Sequence, residues 1–267
     1  MQRSPMLEHF GEELRMARAA AEMSQQDLAE SINYSTALVG KIENGDRRPS
    51  GDFARRCDNV FGTGGLFERI QRLISRDTMV AWFREFAAIE AEAAALRWFE
   101  PLYVPGLLQT EAYMRAVLAS SGLIPEEEIA QQVFARLERQ EILTREKPPV
   151  LTVVIDEFVL RRMVGGPTVM REQLQHLAKI GASLPRVRIH VVPTSVGAYA
   201  GLDGPFVIVT PPVGEDVVYA ECQLPGQTSD RAEDVKHAVQ VWESIRGEAL
   251  PHQQSVELIS EVAETWT

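Results

Sequence analysis

The chain has 267 residues, 45% of them hydrophobic and 24% charged, with a formal net charge of −11. This ordinary globular composition excludes disorder as the main state and leaves room for one large domain or two ordinary ones. No apolar run approaches the ~18–20 residues of a bilayer span and no charged-then-apolar leader opens the chain, so a cytoplasmic protein without membrane contact is expected.

Two cysteines, Cys57 and Cys222, can neither staple a fold of this length nor build a multi-cysteine metal site. A reduced protein with no metal and no other cofactor is therefore expected. The acidity is unevenly spread. Residues 1–65 carry 8 Lys+Arg against 10 Asp+Glu, whereas residues 66–267 carry 19 against 28. A local basic face, not the sum, is what phosphate binding requires.

The first 65 residues read as short helices joined by tight turns. Residues 8–22 place Phe10, Leu14, Ala17 and Ala21 on one stripe at helical spacing. Ser24 is an N-cap for a short second helix, with Asp27 completing an imperfect capping box. Ser35 starts a third helix that ends at Asn44-Gly45, two residues that tolerate the left-handed conformation of a C-cap. A fourth helix begins at Ser50 or Gly51, and Gly62, Gly64 and Gly65 form the expected hinge between domains 1–65 and 66–267.

Beyond the hinge, residues 66–99 read as one long helix. Met79, Trp82, Phe83, Phe86, Ile89, Ala93 and Leu96 recur at three- and four-residue intervals. Two further helices are expected over residues 107–120 and 125–145. The texture changes at Pro148-Pro149: residues 150–155 are a β-branched run typical of a strand buried on both faces. Helical period returns over 168–184 and a second strand covers 187–192, giving one β-α-β unit with parallel strands. Residues 206–210 and 217–222 flank a turn and read as an added hairpin, followed by two helices over 229–247 and 251–264. The fold class expected is α+β: an all-α domain, then a larger mixed α/β domain with a small sheet.

The segment from Ser24 to Pro49 carries the strongest functional signal. Two helices joined by a three- to four-residue turn, the second opening on small polar residues, have the geometry of a helix-turn-helix. Leu28, Ala29, Ile32, Val39 and Ile42 fix the two helices to each other, Ala29 being small where they cross. Ser35, Thr36, Ala37, Gly40, Lys41 and Asn44 lie on or beside the groove-facing stripe, while Gln25, Arg47 and Arg48 are placed to meet phosphates.

Three pieces bear a family likeness: Phe10-Gly-x-x-Leu-Arg-x-x-Arg18, Ser24-Gln-Gln-Asp-Leu-Ala29, and Ser35-x-x-x-Val39-x-Lys-Ile-Glu-Asn-Gly45 followed by Arg48-Pro49. Together they resemble the phage-repressor-like (XRE-type) DNA-binding domain. Val104-Pro-Gly-Leu-Leu-Gln-Thr110-x-x-Tyr113, Arg139-Gln140-x-Ile-Leu143 and Gly204-Pro-Phe206 are similar to the large domain of the actinobacterial antitoxin-like transcriptional regulators. The resemblance implies a sequence-specific regulator of a double-stranded DNA operator, with a small protein partner acting on it. Tyr199 stands where relatives often carry histidine, which puts any ligand role of that loop in doubt.

A single recognition helix touches only a few base pairs, so a homodimer held through residues 66–267 is expected. Leu108, Gln109 and Tyr113, read as one short helix after Pro105-Gly106, are the candidate surface for a partner or effector. A second reading is a small-molecule-responsive regulator with an effector enclosed by the aromatic helix and the sheet. Catalysis is not expected. No Gly-x-Ser-x-Gly elbow, His-Glu-x-x-His motif or phosphate-binding Gly-Lys-Ser/Thr loop is present, and the five histidines are scattered.

Overall fold

The computed structural model describes residues 5–77, 81–221 and 226–267. Expectations placed on Met79, on Cys222 and on the Trp82 side chain lie outside the described residues and side chains. The chain divides into two compact units, Met1–Met79 and Val80–Thr267. Among the described residues it is an α+β protein of twelve α-helices and a six-stranded mixed sheet.

The first unit contains α1 (Pro5–Ala20), α2 (Gln25–Ile32), α3 (Thr36–Glu43), α4 (Gly51–Phe61) and α5 (Leu66–Asp77). Its helix starts follow from local chemistry. Ser24 and Asp27 form a complete capping box, Ser35 accepts from the Leu38 N–H, and Ser50 accepts from the Phe53 N–H. Helix α3 stops at Gly45, whose φ of +72° lets the Asp46 N–H reach back to the Lys41 carbonyl at 2.9 Å. The turn between α2 and α3 depends on Asn33, left-handed at φ 59°.

Helix α5 belongs to this unit. The Phe67 ring lies 5.4 Å from that of Phe10, and Ile70 and Ile74 fill the same core. The Asp58 carboxylate caps α5 by accepting from the N–H groups of Phe67 and Glu68 at 3.0 and 2.9 Å. The boundary expected after Gly65 therefore falls short of the compact unit, and Gly62–Gly65 is a turn inside it.

The second unit is built on β1 (Ala95–Glu100), β2 (Val150–Asp156), β3 (Val187–Val192), β4 (Phe206–Thr210), β5 (Val217–Ala220) and β6 (Gln227–Ser229), in the order β3-β2-β1-β4-β5-β6. Its helices are α6 (Ala81–Ala91), α7 (Glu111–Ala119), α8 (Glu126–Gln140), α9 (Glu157–Arg161), α10 (Pro167–Ser183), α11 (Ala232–Glu248) and α12 (His252–Thr265). β2 and β3 pair in parallel across α10, and β4 pairs antiparallel with β5, as the sequence implies.

The central strand is the main departure. Residues 66–99 are not one helix: α6 ends at Ala91 and the chain enters β1, which pairs in parallel with β2 and antiparallel with β4. Leu96 fits the helical stripe of the sequence, yet ladders on both sides satisfy the β1 backbone and outweigh that local period. Leu96 and Trp98 face a core shared with Leu151, Val153, Leu174 and Ile259. Phe99 faces the opposite core, with Val154, Ile208 and Trp242.

The free edge of β3 is sealed by side chains. The Ile189 N–H donates to His252 Nδ1 at 3.1 Å, and the Val191 N–H donates to Ser255 Oγ at 3.0 Å. The Leu250 N–H donates to the Val191 carbonyl at 2.8 Å. Backbone groups that would pair with a further strand are thereby used.

Candidate nucleic-acid interface

Helix α3 divides cleanly into an inner and an outer face. Val39, Ile42 and Glu43 are buried, while Ser35, Thr36, Ala37, Lys41 and Asn44 are exposed. At 3.6 residues per turn, positions 36, 37, 40, 41 and 44 share one side of the helix. Eight residues span about 12 Å, close to the width of the B-DNA major groove. Ser35 is committed to capping, which leaves Thr36, Ala37, Lys41 and Asn44 as the groups offered to a groove.

The inner face is fixed by a buried glutamate. Glu43 is 2% exposed, and its two oxygens accept from Arg18 Nε at 2.7 Å and Nη2 at 3.2 Å. Gln25 Nε2 donates to the same carboxylate at 2.7 Å. The hydrogen bond to Glu43 holds the Arg18 guanidinium above its ordinary pKa. Gly11 makes this packing possible: a Cβ there would run into the Glu43 carbonyl. The Phe10-Gly-x-x-Leu-Arg-x-x-Arg18 motif is thus a support for α3, and Glu43 is a clamp behind that helix which the sequence alone did not reveal. Its signal lay in the pairing of an arginine in the last turn of α1 with the glutamate before Asn44.

Two expected phosphate contacts are modified by this geometry. Gln25 turns its amide inward onto Glu43 and lies against Gly40, where a Cβ would approach Gln25 Oε1 to 3.3 Å. Gly40 is accordingly half-buried and spaces the two helices. Arg48 is also half-buried and donates to the Ile74 carbonyl at 3.3 Å, tying the loop to α5. Arg47 remains exposed. Arg56 donates to the Ile32 carbonyl at 2.9 Å and pairs with Asp52, which explains it as a helix clamp.

In the second unit the candidate surface is overturned. Leu108, Gln109 and Tyr113 are 0%, 3% and 1% exposed. They do not share a helix: residues 106–108 form a 3₁₀ turn, Gln109 is extended at ψ 144°, and Thr110 caps α7. That break resets the rotation and points each side chain inward. Gln109 Nε2 donates to the Val104 carbonyl at 2.6 Å, and the Val104 N–H donates to the Tyr113 hydroxyl at 3.3 Å. Gln173, fully buried, accepts from the Thr110 N–H at 2.7 Å and donates to the Leu108 carbonyl at 2.8 Å. Gln140 donates to the Gly106 and Gln109 carbonyls at 3.0 and 2.7 Å. Arg139 forks onto Glu90, which is 2% exposed, at 2.7 and 2.9 Å. Side chains of α8 and α10 thus staple this irregular connection in place.

The strand ends are similarly occupied. Asp156 accepts from the Tyr199 hydroxyl at 2.6 Å, and Glu157 accepts from the Thr194 N–H at 2.8 Å and pairs with Arg161. Burial alone would raise the Glu157 pKa, but Thr194 and Arg161 outweigh it and the net shift is downward. Among the described residues no group of His, Cys, Asp or Glu side chains could hold a metal ion, and no helix is long and apolar enough to cross a membrane.

Residues 83–261 match the family model described as a domain of unknown function (DUF5753). That match spans more than half of the chain. The protein belongs to the DUF5753 family. Residues 9–69 match a helix-turn-helix domain (HTH_31), a span that reaches into α5. No curated protein and no solved structure matches the chain. A DUF5753 chain with this N-terminal domain is a helix-turn-helix protein of the DNA-binding regulator type.

Proposed function

We propose that this DUF5753 protein is a sequence-specific transcriptional regulator of the antitoxin-like kind. It binds a double-stranded operator as a homodimer, with α3 in the major groove. The observation that carries this reading is the exposed stripe Thr36, Ala37, Lys41 and Asn44, on a helix clamped from behind by Glu43 and Arg18. One such helix covers too few base pairs for a genomic address, and two related by a dyad meet half-sites about 34 Å apart. The likeness of the second unit to the antitoxin-like regulators supports control by a small protein partner, received on a surface other than the buried Leu108, Gln109 and Tyr113.

Footprinting of the full chain on DNA upstream of its own gene tests the proposal. A protected inverted repeat supports it; uniform binding to any duplex, or a strictly monomeric mass with that DNA bound, sinks it. Co-purification of a small protein with the full chain checks the partner. A second reading, control by a small-molecule effector, is favoured by Arg136 of α8, half-buried with one hydrogen bond among the described residues, to Gln109 Oε1 at 3.2 Å.

A further inference from the structure

One end of the sheet carries apolar surface that the fold does not use. Glu100 closes β1 opposite Ile155 of β2, and Phe99 of β1 lies opposite Phe206, the first residue of β4. With strands about 4.8 Å apart, the segments after β1, after β2 and before β4 leave the sheet within about 10 Å of one another. Leu102 and Tyr103 stand on the first, Phe158 and Met163 on the second, and Leu202 on the third. All five are 40–64% exposed, and among the described residues they are five of the eight large apolar residues exposed in this unit. The other three, Leu123, Val150 and Val213, sit singly between α7 and α8, at the start of β2 and between β4 and β5.

These segments are pinned. Glu100 accepts from the Leu102 N–H at 3.1 Å, and Asp156 accepts from the Phe158 N–H at 2.8 Å. The Tyr199 hydroxyl donates to Asp156, and the Tyr199 ring meets Phe99 edge-on at 6.2 Å. Gly201 lies so close on Phe99 that a Cβ there would collide with the ring, which fixes Leu202 beside it. Glu157, Val159 and Leu160 are buried and leave the Phe158 ring outside. Side chains on a pinned backbone lose little freedom on contact. At the ~150–250 Å² of a large side chain, those exposures leave roughly 500 Å² of mostly apolar surface. Monomers rarely expose a contiguous patch beyond a few hundred Å², and a standard interface takes about 800 Å² from each partner. The patch has the size of an interface core whose polar rim supplies the rest.

The charges beside the patch select its occupant. Arg162 is exposed next to Met163 on the β2 side, and Asp203 is exposed next to Leu202 on the β4 side, with β1 between them. Arg161 is spent on Glu157, whereas the Arg162 and Asp203 side chains form no ion pair among the described residues. A partner carrying an excess of one sign meets a like charge on one side of the patch. A second copy, turned by a two-fold axis through the segment after β1, meets opposite charges on both sides. We propose that this end of the second unit is a two-fold interface with another copy of the chain. Phe158, Met163 and Leu202 form its core with Leu102 and Tyr103, and two reciprocal Arg162–Asp203 pairs close its rim. This deepens the homodimer reading by giving it a surface and rests on that reading for its purpose, two copies of α3 on one operator. Its test does not pass through DNA.

The test is sedimentation equilibrium of the full chain in the absence of DNA. A dimeric mass at micromolar concentration is expected. Phe158→Glu and the milder Phe158→Ser should each raise the dimer Kd at least about tenfold. Both should keep the parent's circular dichroism spectrum and a cooperative melt, because the ring is exposed. Arg162→Asp sets Asp against Asp203 across the axis, and Asp203→Arg sets Arg against Arg162. Each variant alone should dimerise at least about tenfold more weakly. An equimolar mixture of the two should regain the parent's dimer, since both contacts are then between opposite charges. A merely structural role for either residue gives no such recovery. A monomeric parent, a dimer indifferent to Phe158→Glu, or a mixture no tighter than its separate chains overturns the proposal. So does a monomeric parent that captures a co-encoded small protein through Phe158, which assigns the surface to that partner. A dimer lost in Phe158→Glu but without any operator footprint sinks the DNA reading alone. A protected inverted repeat bound by a dimer indifferent to Phe158→Glu sinks this one alone.

Discussion

Each unit sets a glutamate that is 2% exposed under an arginine, Glu43 under Arg18 in the first and Glu90 under Arg139 in the second. The units differ in where the remaining cations go. In the first, Lys41 and Arg47 stand in solvent and hold nothing of the fold together. In the second, Arg136 of α8 is half-buried and donates to Gln109 Oε1 at 3.2 Å. The first arrangement suits a large polyanion approached from outside; the second ties α8 to the connection that precedes α7. A cation can thus be left out of the fold's own contacts or drawn into them.

The sharpest way to break the comparison is to remove α5. A fragment of residues 1–79 is expected to unfold cooperatively by circular dichroism. One of residues 1–65, stripped of Phe67, Ile70 and Ile74, should not fold in buffer, because so short a chain is marginal even with its core complete. A stable 1–65 fragment would return the boundary to Gly65.

Next come the two buried pairs. Glu43→Ala and Glu90→Ala should each cost about 2–4 kcal/mol, somewhat below a fully buried pair because both arginines keep some solvent. Calorimetry should show Glu43→Ala lowering the first unit's transition and Glu90→Ala the second's. Gly11→Ala, which drives a Cβ into the Glu43 carbonyl, should cost about 1–3 kcal/mol and weaken operator binding along with stability.

Lys41→Ala should leave Tm unchanged. It should cost about 1–3 kcal/mol of operator affinity and relax preference at one base pair, measured by competition with single-base variants. Arg47→Ala should weaken all sequences alike and flatten the salt slope by about one unit. The smallest effect is a pH dependence. The folded-state pKa of Glu100, raised to about 7, makes its ionisation destabilising. The penalty is absent below the ordinary carboxylate range, grows up to about pH 7 and is constant above it. Glu100→Gln should therefore raise stability by about 1 kcal/mol at pH 8 and by much less at pH 5, after allowing for partial exposure.

The helix-turn-helix was legible because its determinants are local. Ser24, Ser35 and Ser50 cap helices that start next to them, and Gly45 stops a helix by its own φ. β2, β3 and the β4–β5 hairpin were legible from β-branched runs. β1 was not, because Leu96 continues the apolar spacing of α6 and only pairing with β2 and β4 makes the segment a strand. Gln109 and Tyr113 depart from the expected helix because two extended residues, Gln109 itself and Thr110, reset the rotation between them. Glu43 and Gln173 went unread because their partners are distant in sequence, Arg18 by 25 residues and the Leu108 carbonyl by 65.

The sealed edge of β3 carries a consequence for synthesis. His252, which covers the Ile189 N–H, lies 63 residues downstream of it, and Ser255 lies 64 downstream of Val191. During translation β3 can dock on β2 well before α12 leaves the ribosome. For that interval its outer N–H and carbonyl groups are an open template, and neighbouring nascent chains on one message present the same strand to each other. Slow translation between Val192 and Ser255 would lengthen the interval and raise the yield of aggregated chain, with the finished protein's stability unchanged. Ser255→Ala would carry part of the same exposure into the mature fold, leaving the Val191 N–H as a buried donor without its acceptor.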